Sequence, residues 1–114
     1  MEQKSTRYEI VIGKKAQDGL QCRLVCGHAF LNEGESFYVI KLMMFPGQTY
    51  YLVKNRGSQD RYTVYAKMSG REEEIRLQNP VGNGRLSADL TAYLELYFPV
   101  LKTQMFMSLY PKEA

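Results

Sequence analysis

Cys22, Cys26 and the single histidine, His28, fall within one short apolar segment. On a strand these three share a parity and point to one side. Thiolate and imidazole are zinc ligands, so the trio resembles half of a zinc site. A structural zinc needs four ligands, and the chain holds no second cluster of Cys or His, which leaves Asp or Glu to complete the set. The simpler reading makes Cys22, Leu24, Cys26 and Phe30 a core face with His28 buried or at its rim; no metal or other cofactor is expected. Nucleophilic catalysis by Cys26 with His28 as base is poorly served, because strand neighbours two apart stand parallel at about 6.7 Å. The two cysteines would lie about 13 Å apart along a strand, beyond the roughly 7 Å that a disulfide spans, so reduced thiols and a cytoplasmic location are expected.

Carboxylate chemistry is no better supported. Glu72-Glu73-Glu74 reads as a solvated charge run, and Asp89 with Glu95 makes an acid–base pair that nothing else in the sequence supports. Gly82-Asn83-Gly84 lacks the third glycine and the βαβ unit of a dinucleotide fingerprint and reads as a hairpin turn. No enzyme is expected.

A different chemistry is carried by mixed basic and aromatic residues. Arg61, Tyr65, Lys67 and Arg76 share one expected strand face, and Lys54 and Arg56 extend it along the loop at 55–60. Single-stranded DNA or RNA binds such surfaces, its bases stacking on aromatics and its phosphates meeting Lys or Arg. The competing reading is a solvated face whose Lys67 and Arg76 are neutralised by Glu72 and Glu74. Tyr93, Glu95 and Tyr97 form a second expected exposed stripe that suits a protein contact, since Tyr is enriched in interfaces.

The elements that must position these groups are strands. Short β-rich runs separated by turn residues recur at 8–12, 22–30, 36–45, 49–54, 61–68 and 71–77, then along 86–98 and 103–110. The run at 36–45 is apolar on both faces and is placed centrally. With Ser69-Gly70 as a two-residue turn, Met68 faces Arg71, Lys67 faces Glu72, Tyr65 faces Glu74 and Thr63 faces Arg76; Val64 meets Ile75 and Tyr62 meets Leu77 on the other side. Residues 79–84 read as a turn cluster. From Leu86 to Phe98 apolar and polar residues alternate without a break, which favours one long strand, bent or bulged near Ala92. Leu86 to Ala92 as a separate strand or a helical turn is the alternative.

The bulk numbers fit one domain over residues 1–114. The chain is 45% hydrophobic and 24% charged with a net charge of +3, and no stretch is a membrane span. The first residues lack the apolar segment of a secretory signal, so a soluble cytoplasmic protein with no membrane partner is expected. The mild basic excess permits a polyanionic partner without demanding one. The fold expected is all-β: a small antiparallel meander of six to eight strands, closed or partly closed into a barrel.

The order Arg61-Tyr62-Thr63-Val64-Tyr65, Tyr93-Leu94-Glu95-Leu96-Tyr97-Phe98, Pro99 and Met105-Phe106-Met107-Ser108-Leu109 resembles a family of short uncharacterised proteins encoded on bacterial plasmids and integrative elements. That family places an Arg-containing strand, a Tyr-Leu-x-Val strand, a proline-bearing turn and an Ile-Tyr-x-x-Leu strand in this order. The resemblance implies an accessory protein of a bacterial mobile element and carries over no catalytic residues. Two functions are therefore expected in order: a non-catalytic module for single-stranded nucleic acid, or an assembly module that forms a homodimer through an edge strand or the tyrosine stripe.

Overall fold

Eight antiparallel strands follow one another in chain order around a closed ring. This computed structural model describes residues 5–17, 19–70 and 75–112. The strands are β1 (Ser5–Ala16), β2 (Gly19–Asn32), β3 (Tyr38–Leu42), β4 (Thr49–Lys54), β5 (Arg61–Ser69), β6 (Arg76–Leu86), β7 (Tyr93–Phe98) and β8 (Thr103–Ser108). The all-β antiparallel meander expected from the sequence is what the chain forms. No helix among the described residues is long and apolar enough to cross a membrane.

Alternation sends one set of side chains from every strand into the lumen. Ile10, Ile40, Leu52, Val64, Leu94, Leu96 and Met107 are almost wholly buried there and form one cluster. Each contributes roughly 1.5–3 kcal/mol by leaving water. Tyr8, Tyr38, Tyr50 and Tyr62 pack against them, with Tyr8 edge-on to Tyr38 at 5.7 Å between ring centroids.

The ring closes through a narrow seam. β1 meets β8 at two residue pairs, Ile10 with Met107 and Val11 with Phe106. The β1–β2 register shifts at the same place: Ile10 faces Gly27 but Val11 faces Val25, leaving Cys26 as the extra residue of a bulge. Consecutive residues Ile10 and Val11 are thus both buried, one in the lumen and the other in a second cluster outside it. Past the bulge the β1–β2 hairpin leaves the ring, since β2 pairs with β3 only over 27–30. This arm lies over the outer side of β7 and β8. Val11, Leu90 and Phe106 are buried beneath it, with Leu20, Val25 and Tyr93 packed around them.

Several expectations are corrected. The bulge breaks the parity assumed for Cys22, Leu24, Cys26 and Phe30: Cys26 is buried, but Leu24 is 63% exposed, Cys22 is exposed at φ 55°, and Ala29 replaces Phe30 in the core. The apolar run at 36–45 is not all strand, because β3 ends at Leu42 and Met43, Met44 and Phe45 project from the following loop. Residues 79–84 lie within β6 rather than in a turn. Asn79 adopts φ 58° beside a register shift at which Val64 faces Gly82 and Tyr65 faces Pro80. Gly82 and Gly84 are there because the lumen is full: a Cβ on Gly84 would lie 2.9 Å from the Leu94 side chain, and one on Gly82 would lie 2.7 Å from the Tyr97 carbonyl oxygen.

The hairpin expected at Ser69-Gly70 has a different register. Lys67 faces Gln78, Met68 faces Leu77 and Ser69 faces Arg76. Arg71, Glu72, Glu73 and Glu74 lie outside the described residues. The long alternating run divides as well. Leu86 ends β6, Tyr93–Phe98 is β7, and 87–92 is a turn held by the Ser87 hydroxyl, which accepts the Leu90 N–H at 2.9 Å, and by the Leu90 carbonyl, which accepts the Tyr93 N–H at 2.9 Å.

Two glycines separate steric need from backbone freedom. A Cβ on Gly27 would sit 2.5 Å from the Lys41 carbonyl oxygen, so Gly27→Ala is expected to cost about 1–3 kcal/mol in a denaturant titration. Gly47 has open space around it, and Gly47→Ala is expected to change stability by no more than about 1 kcal/mol in the same titration.

Candidate nucleic-acid interface

Strands β2 to β6 contain no Asp or Glu, yet carry Arg23, Lys41, Lys54, Arg61, Lys67, Arg76 and Arg85. The acidic residues of the strands are Glu9 on β1 and Glu95 on β7, and both are paired. Glu9 meets Lys112 at 2.8 Å, and that hydrogen bond holds its carboxyl below the usual value. Lys41, Lys54, Arg56, Arg61, Lys67 and Arg76 have no carboxylate partner among the described residues. Strands β3 to β5 thus carry lysine and arginine without a carboxylate of their own.

Cross-strand pairing aligns the outward residues of β2 to β6 in rows. Phe30 faces Val39, Val39 faces Tyr51, Tyr51 faces Tyr65 and Tyr65 faces Pro80. This row crosses β2 to β6 at one level, and its first four members are half-buried. Phe37 steadies Tyr51 edge-on at 6.1 Å, and His28 lies tilted against Phe30 at 6.3 Å. The next row toward the β3–β4 loop holds His28 opposite Lys41, Lys41 opposite Thr49, and Lys67 opposite Gln78. Lys41 donates to the Thr49 hydroxyl, which fixes its stem along the sheet. Burial, reinforced by the Arg7 charge, pushes the His28 imidazole below its ordinary value. On the opposite flank the row is neutral: Val53 faces Thr63, Thr63 faces Asn83, and Asn83 faces Tyr97.

The residues expected to bind nucleic acid are thus divided by the fold. Tyr65 and Lys67 sit on the aromatic and cationic rows. Lys54, Arg56 and Arg61 are exposed at the other end of the strands, beyond the neutral row, around a loop in which the Ser58 hydroxyl accepts the Arg61 N–H at 3.0 Å. Arg76 pairs with Ser69, further along the β5–β6 hairpin. Phe30, Lys41 and Tyr51, which the sequence does not single out, stand on the same rows. Phe30 was assigned to the core by the parity that the Cys26 bulge breaks, while the alternation of β4, with Leu52 buried, was signal enough to place Tyr51 outside.

The second expected stripe is not an exposed one. Glu95 is 5% exposed beneath the β1–β2 arm. Lys15 reaches it from the arm at 2.8 Å, Arg85 approaches at 3.6 Å and the Gln104 amide donates to it. Burial pushes the carboxyl up, but hydrogen bonds from Lys15 and Ser87 and the charges of Lys15 and Arg85 outweigh it and hold the carboxyl below its usual value. Tyr93 is half-buried against Phe106 and receives a hydrogen bond from Arg23 at 3.2 Å, while Tyr97 remains 40% exposed. Closure of the ring gives every strand a neighbour on both sides, although β2 meets β3 only over 27–30 and β1 meets β8 at two residue pairs.

Compared with family models, with curated proteins and with solved structures, the chain matches none of them.

The Glu95 clasp has a definite pH signature. A carboxyl held below its ordinary value of 4.5 stabilises the fold above that value, and the contribution is lost as pH falls through the folded-state value. Glu95→Gln is expected to cost about 1–2 kcal/mol at neutral pH, a moderate sum because Lys15 and Arg85 can return to water. Urea titrations should show the gap between the two proteins narrowing steadily below pH 4.5.

Proposed function

We propose that this protein is a non-catalytic binding module for single-stranded nucleic acid, and that the outer side of β2 to β5 is its platform. One observation carries the reading: strands β2 to β6 hold no carboxylate and align half-buried aromatic residues beside lysines on the outer surface. A negatively charged, base-bearing chain is complementary to both features, since its phosphates seek the cations and its bases offer π-faces to the rings. Duplex DNA suits the surface less well, because these residues lie on a convex barrel wall rather than on an element that enters a groove. An accessory role in a bacterial mobile element, as the family resemblance implies, is compatible with such a module.

Fluorescence anisotropy with a labelled twelve-nucleotide single strand tests the reading at two salt concentrations. Binding is expected at low salt, with log affinity falling as log salt rises by about 0.7 for each phosphate contacted. Lys67→Ala should lower that slope by nearly one contact, while Tyr65→Ala should weaken binding by about 1–3 kcal/mol with the slope unchanged. Absence of binding at low salt, or binding indifferent to salt, would rule the function out.

A further inference from the structure

The rows on the outer wall differ in charge, and that asymmetry bears on how much of a strand can be held at once and which way round it lies. Phe30, Tyr51 and Tyr65 are the aromatic members of one row spanning four adjacent strands. Val39, between the first two, offers a flat apolar step but no ring. Three strand spacings of about 4.8 Å separate Phe30 from Tyr65 at the backbone, and the convex wall spreads the side chains further. That is the reach of a few nucleotides and no more. Lys41 and Lys67 stand two residues along their strands from the aromatic row, about 6.7 Å away on the same side. The corresponding positions on the opposite flank, Val53, Thr63 and Asn83, are uncharged. Arg61 lies four residues from Tyr65, about 13 Å along β5 and beyond that neutral row.

Resting on the function proposed above, we infer that the platform binds a three-nucleotide segment running across the strands. Its bases stack on Phe30, Tyr51 and Tyr65, and its sugar–phosphate backbone lies on the flank of Lys41 and Lys67. Lys54, Arg56 and Arg61 belong to a separate cationic end that touches only longer strands.

Oligothymidylates of two, three, four, six and twelve nucleotides test this, with the shorter ones followed by NMR titration and the longer ones by anisotropy. Affinity should rise roughly five-fold or more from two to three nucleotides, as a further ring gains a base. From four to six it should rise only in proportion to the number of positions the strand offers. Lys41→Ala and Lys67→Ala should weaken the trinucleotide, whereas Arg56→Ala should leave it unchanged and weaken the twelve-nucleotide strand. Tyr51→Ala should weaken the trinucleotide and Tyr51→Phe should restore it, which separates loss of the ring from damage to the fold. Affinity that climbs evenly from three to twelve nucleotides, or a trinucleotide indifferent to Lys41→Ala and sensitive to Arg56→Ala, would overturn the three-nucleotide segment while leaving the general function standing. Failure of the twelve-nucleotide strand to bind would remove both.

Discussion

The seam between β1 and β8 is the constraint from which the rest of the architecture follows. Two residue pairs join the first and last strands, and the Cys26 bulge lies against them. Without the bulge, Ile10 and Val11 would simply alternate between lumen and solvent. With it, β1 and β2 turn out of the ring and fold across the outside of β7 and β8, so that Val11 gains cover from Leu20 and Val25. Cys26 itself donates to the Ile10 carbonyl at 3.5 Å, and burial pushes its thiol up, as suits a packed structural cysteine with no call to ionise.

That fold-over divides the exterior into two unlike halves. Beneath the arm the wall is sealed: Phe106 is 2% exposed, and the Glu95 carboxylate is satisfied by Lys15, Arg85 and Gln104. A buried carboxylate so partnered acts as a clasp, since leaving it unpaired would cost more than its attraction to the lysine alone. The other half, β2 to β5, has nothing laid over it among the described residues. It carries Lys41 and Lys67 beside the outward rings of Phe30, Tyr51 and Tyr65. The same closure that covers one half of the wall leaves the other half open.

Much of the architecture was legible from alternation alone. Thr49–Lys54 is the strand that its β-forming residues predict, and Leu94, Leu96 and Phe98 at period two mark the lumen side of β7. Failures occurred where tertiary packing changed the meaning of a local signal. Asn79, Pro80, Gly82 and Gly84 have turn chemistry, but here they serve a bulge and the crowded lumen, where Phe98, Leu94 and Leu96 occupy the room a side chain would need. Leu90 continued the alternation yet belongs to the outer cluster, not to the sheet that holds Leu94. Glu95 reads as exposed because the sequence gives no sign that the β1–β2 hairpin, at the other end of the chain, returns to cover it. On the candidate site, Tyr65 and Lys67 were found from the pattern of β5. Alternation in β4 places Tyr51 outside, but the outward position of Phe30 depends on the Cys26 bulge, and the alignment of Phe30, Lys41 and Tyr51 with Tyr65 and Lys67 depends on a cross-strand register that no local pattern encodes.

A backbone amide chemical-shift map, taken during titration with a twelve-nucleotide single strand, tests whether the proposed ligand keeps to the open half of the wall. The largest changes are predicted at Phe30, Lys41, Tyr51, Tyr65 and Lys67, with Val11, Glu95 and Phe106 unmoved. Changes centred on the arm and on β7 and β8, with β3 to β5 silent, would contradict it.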